Sequence, residues 1–271
     1  RDDVVGLSPN RTVSPVFSQL ESITGTKAGS VRGTSDPGTW TGLDGAGVGI
    51  AVLDSGLMHK HSMFQDNKAT GRTRIGRHVN MLNSNVANWS AGAGNLLALQ
   101  PGSAAQKSYE ALIANDTGSA QDLYGHGTHV ASMAAGSGKL AAGGTYNGFY
   151  GIARNATLYD VKVLDADGNG TVSDAIEGIQ WVIYHAKEYN IRVLNVSIAA
   201  SSTETWQTDP LCMAARSAVA AGITVVVSAG NNGLNSAGKT QYGAIAAPGN
   251  DPSVITVGAT NFHATDARTD D

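Results

Sequence analysis

Short runs of Val, Ile and Leu recur along the chain and alternate with Ala-rich segments whose apolar positions return at helical spacing. The runs at 49–53, 157–164, 193–198, 224–228 and 254–257 are apolar on both faces, as strands covered from both sides must be. Helices are expected at 128–135, 172–188 and 210–221, the second with Asp174 and Glu177 near its start. Strand and helix in alternation imply an α/β fold: a three-layer α/β/α sandwich around a mainly parallel sheet. Two stretches break the pattern. Residues 1–44 carry turn formers without periodicity and read as an N-terminal extension ahead of a domain at 45–271. Residues 82–120 contain Asn83-Ser84-Asn85, Gly92-Ala93-Gly94 and Pro101-Gly102 and read as a long surface insertion.

Composition narrows the partners. A net charge of -4 without a basic stripe argues against nucleic acid. No apolar run reaches membrane-spanning length, so no membrane partner is expected. The single cysteine, Cys212, excludes an internal disulfide and a cysteine-based zinc site, and its place in an apolar helical run suits a packed core thiol.

The candidate chemistry sits at element boundaries. Asp54 ends the run Ile50-Ala51-Val52-Leu53 and precedes Ser55-Gly56, where the carboxyl edge of a parallel sheet opens into a crevice. A carboxylate there can accept a ring N–H and fix which imidazole nitrogen faces a substrate. His126 stands between Gly125 and Gly127, with Thr128 placed to cap the helix that follows. Asn231 follows a strand and the pair Ala229-Gly230, so its amide can face a developing oxyanion. Singly, each has a bland reading as a turn, cap or backbone residue. Three such residues in the order Asp, His, Asn, each at a boundary, are hard to assign to chance.

These segments resemble subtilisin-type serine proteases of the subtilase superfamily. The resemblance rests on Ala51-Val52-Leu53-Asp54-Ser55-Gly56, His126-Gly127-Thr128-His129-Val130-Ala131 and Ser228-Ala229-Gly230-Asn231, and it runs from about residue 45 to 260. It implies that Asp54 orients His126, that His126 is the general base and later acid, and that Asn231 donates to the oxyanion. It assigns substrate binding to Gly168, Asn169 and Gly170 on one edge and to Ser197, Ile198 and Ala199 on the other, with Ala229 and Gly230 beside them. Such edges hold an extended peptide, so polypeptides are the expected substrates. Secretion is expected with the family. No cofactor is required. The carboxylate that often anchors calcium after the Asp motif is missing from His59-Lys60-His61-Ser62-Met63, so no metal is assigned to that position, while a structural calcium elsewhere stays open.

The family's nucleophilic serine stands in a Gly-Thr-Ser-Met-Ala type of motif after the last of these strands, and no such motif is present. Gly33-Thr34-Ser35 precedes Asp36-Pro37-Gly38 and reads as a turn. The fold is therefore expected to be subtilisin-like and incomplete at the C-terminus. Three readings stand: a second chain or C-terminal fragment carries the serine and docks here; the chain is a piece of a longer one; or it is a non-catalytic, peptide-binding relative. The sheet surface so left would be apolar and unpaired. The start, Asp3 to Arg11, resembles the tail of the family's inhibitory propeptide.

Rival motifs fare worse. Residues 233–240, Gly-Leu-Asn-Ser-Ala-Gly-Lys-Thr, match the phosphate-loop pattern, but residues 228–232 separate them from their strand, and Gly243 and Pro248 leave little room for a helix. Residues 165–172 begin like a calcium-binding EF-hand loop, but the twelfth position is Ile176 and the preceding run reads as strand. His126 and His129 lack the Glu-bearing setting of a zinc motif, and His129 is expected to pack within its helix.

Overall fold

A computed structural model describes residues 24–26, 31, 42–66, 71–84, 101–114, 121–139, 145–202 and 204–259. In chain order its strands are β1 (Gly49–Asp54), β2 (Ile75–Asn80), β3 (Ser137–Lys139), β4 (Thr145–Tyr150), β5 (Thr157–Lys162), β6 (Ile191–Val196), β7 (Thr224–Ser228) and β8 (Ile255–Val257). The helices are α1 (Ala104–Ile113), α2 (His126–Ala135), α3 (Val172–His185) and α4 (Pro210–Ala220). Six strands form one sheet in the order β2-β5-β1-β6-β7-β8, and every neighbouring pair is parallel. β3 and β4 make a separate antiparallel hairpin.

The period-two side-chain alternation of a strand sorts the core into two layers. From β1, Ala51 and Leu53 face one way and join Val161, Leu194 and Val225 beneath Ile179 and Val182 of α3 and Leu211 and Ala215 of α4. Ile50 and Val52 face the other way and join Leu158, Phe64 and, from α2, Ala131 and Ala135. Each fully buried aliphatic side chain contributes about 1.5–3 kcal/mol. α3 presses on β1 through Gly178, where a Cβ would lie 2.5 Å from Leu53 Cδ1. The caps explain where these helices begin. Thr171 and Asp174 form a reciprocal capping box on α3, one turn nearer the N-terminus than Glu177. Asp209 accepts from the Leu211 and Cys212 amides ahead of α4, whose first residue is Pro210. Cys212 is fully buried, donates to Asn250 Oδ1 at 3.2 Å, and burial pushes its thiol up to about 12.

Four elements, β2, β3, β4 and α1, lie outside the expected set. β2 reads Ile-Gly-Arg-His-Val-Asn, an edge strand whose Gly76 and Arg77 are exposed and conceal the alternation. The β3–β4 hairpin is short and Gly-rich. The stretch 82–120 is not simply a surface insertion, because α1 lies within it. Ile113 is fully buried in the core, and the Tyr109 hydroxyl donates to Glu177 Oε1 at 2.6 Å. Residues 85–100 and 115–120, most of the N-terminal extension, and the segment resembling a propeptide tail lie outside the described residues.

On the α2 side the sheet is covered unevenly. α2 shields β1 and β5, whereas Val226 of β7 is partly exposed and Ile255 and Val257 of β8 are 55% and 51% exposed. Ile255 pairs with Val226, so these apolar side chains share one face.

α1 is fastened to α3 by a charged cluster. His185 places Nε2 3.0 Å from Glu110 Oε1 and Nδ1 2.9 Å from Glu188 Oε2, and the Trp181 indole donates to Glu110 Oε2 at 3.2 Å. Two carboxylate acceptors require both ring nitrogens to carry protons. Burial works against the imidazolium, but Glu110 and Glu188 outweigh it and raise the pKa of His185 above its ordinary value. This contribution to folding is therefore fully present below the unfolded histidine pKa of about 6.5 and is lost as pH rises through the higher folded value. Hydrogen exchange of the α1 amides should speed up over that window in the parent protein. In His185→Gln the exchange rate, corrected for intrinsic chemistry, should be faster at low pH and show no such step; an identical step in the variant would disprove the linkage.

Candidate active site

β1 is the strand at which the sheet's winding reverses: α3 leads from β5 across it to β6, with α2 on the opposite face. In open parallel sheets the crevice at the carboxyl end of such a strand is where ligands bind. Asp54 is the last residue of β1 and is 1% exposed. His126 is the first residue of α2. Its Nδ1 lies 2.8 Å from Asp54 Oδ1 and 3.0 Å from Oδ2. An ionised carboxylate only accepts, so Nδ1 carries the proton and Nε2 is the basic nitrogen of the neutral ring. The His126 side chain is 43% exposed, which leaves the far edge of the ring open. Burial pushes the Asp54 carboxyl up, opposed by hydrogen bonds from His126 and from the Ser55 amide at 2.7 Å.

A buried carboxylate absent from the sequence-level site holds the two elements together. Asp122 accepts from the Ser55 hydroxyl (2.8 Å), the Gly125 amide (2.8 Å), and the Thr128 amide (2.8 Å) and hydroxyl (2.5 Å). Ser55 Oγ in turn accepts from the Gly127 amide at 3.0 Å. Asp122 thus caps α2, the role expected of Thr128, which instead lies in the first turn and accepts from the Met58 amide at 3.0 Å. Gly125 precedes the helix at φ +86°, a left-handed conformation that favours glycine. Gly127 admits the close approach, since a Cβ there would strike the Gly56 carbonyl oxygen and crowd Asp54. The spacing of Asp122 four residues before His126 was the available signal; a cap reaching in from before the glycine is harder to see than one adjacent to the helix. His129 does not pack within its helix: it is exposed on α2.

A cleft of roughly 350 Å³ opens beside His126. Gly168, Asn169 and Gly170 line one side of it and Ser197, Ile198 and Ala199 another. Asp165 Oδ1 shapes the first edge by accepting the Asp167 and Asn169 amides at 2.9 Å each. Tyr124 packs over Gly168, where a Cβ would meet the ring at 2.5 Å, and its ring centroid stands 6.3 Å from that of His126. Tyr124 also lines the cleft and was not foreseen from sequence. Ala229, Gly230 and Asn231 lie outside this lining, at the end of β7 on the same edge of the sheet. Gly230, at φ +85°, reaches toward Ala199, with its Cβ position 3.7 Å from that methyl. Asn231 is exposed and its amide makes no hydrogen bond among the described residues. Residues 233–240 form a turn closed by the antiparallel bridge Leu234–Thr240 and open no helix, so they cannot cradle phosphates as a phosphate loop does. Gly33-Thr34-Ser35 lies outside the described residues.

A mainly parallel α/β sheet layered with helices, with a carboxylate-held imidazole at the carboxyl end of a central strand, places the chain among α/β proteins whose site lies at the sheet edge. The model of the Subtilase family matches residues 45–269, and the chain belongs to that family of subtilisin-like serine proteases. The Extracellular serine proteinase of Thermus sp. (strain Rt41A) is 33% identical over 217 residues, which are 80% of this chain and 37% of that protein. Serine protease AprX of Bacillus subtilis (strain 168) is 38% identical over 155 residues, 55% of this chain and 33% of that protein. Among solved structures, a cold adapted subtilisin-like serine proteinase superposes with a TM-score of 0.51 at 26% identity, covering 81% of this chain and 57% of the other. The chain thus spans about a third of the length of these curated relatives.

The capping network generates a test. Asp122→Ala leaves buried donors of Ser55, Gly125 and Thr128 without an acceptor and should lower stability by about 3 kcal/mol. It should also weaken any activity that depends on His126. Asp122→Asn, which keeps the shape, should recover part of both. Chemical denaturation with a parallel activity assay checks this, and an unchanged midpoint in the alanine variant would contradict it.

Proposed function

We propose that this chain supplies the base, the orienting acid, one oxyanion donor and both substrate edges of a serine endopeptidase that works through an acyl-enzyme. The single observation that carries this reading is the Asp54–His126 pair, 2.8 Å apart at the mouth of a cleft between the two edges. A peptide lying extended between 168–170 and 197–199 would add as a strand, with backbone hydrogen bonds giving affinity and the cleft reading side chains. His126 Nε2 would take the serine proton as the hydroxyl attacks the peptide carbonyl, and the buried Asp54 carboxylate would hold the imidazolium so formed. The same nitrogen then returns the proton to the leaving amine. The Asn231 amide, which has no hydrogen bond among the described residues, would donate to the oxyanion.

The nucleophile is proposed to arrive on a segment that covers the bare α2 side of β7 and β8. Val226, Ile255 and Val257 make that face apolar and exposed, and it adjoins the layer in which His126 lies. The segment belongs either to the same polypeptide or to a docked fragment. Secretion is part of the proposal and rests on the extracellular relative. No helix among the described residues is long and apolar enough to cross a membrane. Catalysis calls for no cofactor.

Fluorophosphonate labelling of the intact protease should modify one serine, and His126→Ala should abolish both labelling and peptide hydrolysis. Asp54→Ala should lower kcat by about 10⁴-fold, the scale known for orienting carboxylates of such pairs. Asn231→Ala should lower it by about 10²–10³-fold, the loss measured for the corresponding asparagine of a subtilisin and transferred from that enzyme. Lys239→Ala should leave both unchanged. Failure of intact protease to label at any serine would favour a peptide-binding relative without catalysis.

A further inference from the structure

Behind the loop that leaves Asp54 lies a second convergence of side chains that the peptidase chemistry does not use. His59 stands on that loop, His78 on β2 and Asp160 on β5. Strand register fixes two of them, because His78 is the direct partner of Asp160. Asp160 Oδ2 receives His59 Nε2 at 2.7 Å, His78 Nδ1 at 2.6 Å and the Leu57 amide at 3.0 Å. The imidazole rings meet edge to face with centroids 4.7 Å apart. Asp160 is fully buried, and its other oxygen, Oδ1, has no hydrogen-bond partner among the described residues. A buried carboxylate oxygen without a donor is costly and calls for an explanation. His59 and His78 both border a cavity of roughly 660 Å³, separate from the substrate cleft.

We propose that His59 Nε2, His78 Nδ1 and the Asp160 carboxylate form a binding site for a divalent cation of the zinc class. The donor set is the one such ions take: two neutral imidazoles and a carboxylate, with water from the cavity completing the shell. The three donor atoms already lie within 4.8 Å of one another. Metal–ligand bonds of about 2.0–2.2 Å set tetrahedral donors about 3.3 Å apart, so each ring must withdraw by about 0.6 Å. His59, 19% exposed, has room to do so toward the cavity. A cation would also balance the charge of a fully buried carboxylate. Hard calcium, which takes six to eight oxygens, does not suit this nitrogen-rich site. The consequence is mechanical. The Leu57 amide and His59 follow Asp54 closely, so the ion would clamp the catalytic aspartate's loop to β2 and β5.

The site is independent of the peptidase reading, and its test reads binding rather than turnover. Chelator-treated, dialysed protease is titrated with Zn²⁺ by calorimetry, and separately with Co²⁺, whose visible absorption reports tetrahedral nitrogen ligation. Wild type should bind one more equivalent than His59→Gln or His78→Gln, whose amides keep a hydrogen bond to Asp160. Zn²⁺ in hundredfold excess over its Kd should raise the melting temperature by roughly 5 °C in wild type alone. Equal stoichiometry in wild type and both variants would overturn the proposal, as would a Co²⁺ spectrum without tetrahedral bands in the wild type. Either result would leave the triad held by a proton on one imidazole. Should a glutamine variant fail to fold, the wild-type cobalt spectrum alone decides. Loss of fluorophosphonate labelling with zinc binding retained would instead count against the peptidase reading.

Discussion

A strand end and a helix start from different layers must meet within one hydrogen-bond length, and the organisation around the site follows from that demand. β1 lies in the sheet and α2 above it, yet Asp54 and His126 approach to 2.8 Å. The approach is available only because residue 127 has no side chain to collide with the Gly56 carbonyl. It is held because Asp122 and Ser55 tie the same two segments through a buried relay. Two such side chains on loops could drift; here one is the last residue of a central strand and the other the first residue of a helix packed on it. Rigid elements on both sides give the fixed geometry that a proton relay needs.

Three carboxylates are buried in this neighbourhood, and each is balanced differently. Asp122 is met by backbone amides and hydroxyls at a helix N-terminus, where the helix dipole favours negative charge. Asp54 has one imidazole and one amide, and burial still pushes its carboxyl up. Asp160 is fully buried, which on its own raises the carboxyl, yet hydrogen bonds from His59 and His78 bring it below the ordinary range. Of the three, Asp160 alone has an oxygen left unbonded. The first satisfies structure, the second is poised to support a charge that forms on its partner, and the third is over-supplied with nitrogen donors on one side and bare on the other.

What the sequence disclosed divides along physical lines. The strands at β1, β5, β6, β7 and β8 and the helices α2, α3 and α4 were legible because burial on both faces writes itself as unbroken apolar runs. The observed ends differ by a few residues, as for β6, which spans Ile191–Val196 and takes in the exposed Arg192 that interrupts the apolar run. β2 escaped notice as an edge strand with polar positions. α1 escaped because it offers one fully buried side chain, Ile113, and otherwise docks by polar contacts from Tyr109 and Glu110. Asp54 and His126 could be named because short apolar and glycine-rich flanks mark them. Asp122 left only a faint signal, its spacing before His126, and His59, His78 and Asp160 left none, because their meeting arises only when β2 and β5 pair and a loop folds back. His59 even stood in a segment noted only for lacking a calcium carboxylate; its carboxylate partner is Asp160 on the distant strand β5.

The uneven covering of the sheet bears on how the chemistry is assembled. The Asp54–His126 pair is already formed in the layers described, since both residues are held by elements that pack without help from the bare face. Asn231, which follows β7, is different. Asn231 has no hydrogen bond among the described residues to fix its amide, and it follows β7 in the chain two residues after Ala229, whose amide donates to the Val257 carbonyl beside the apolar strip of Val226, Ile255 and Val257. A segment packing on that strip would bury it, restrict the Asn231 turn and bring its own side chains toward His126 in one event. Coupling these steps has a consequence for control. On the proposed reading, the Asp54–His126 pair would meet its serine only once that strip is covered. The apolar strip would then serve at once as the folding signal and as the condition for catalysis.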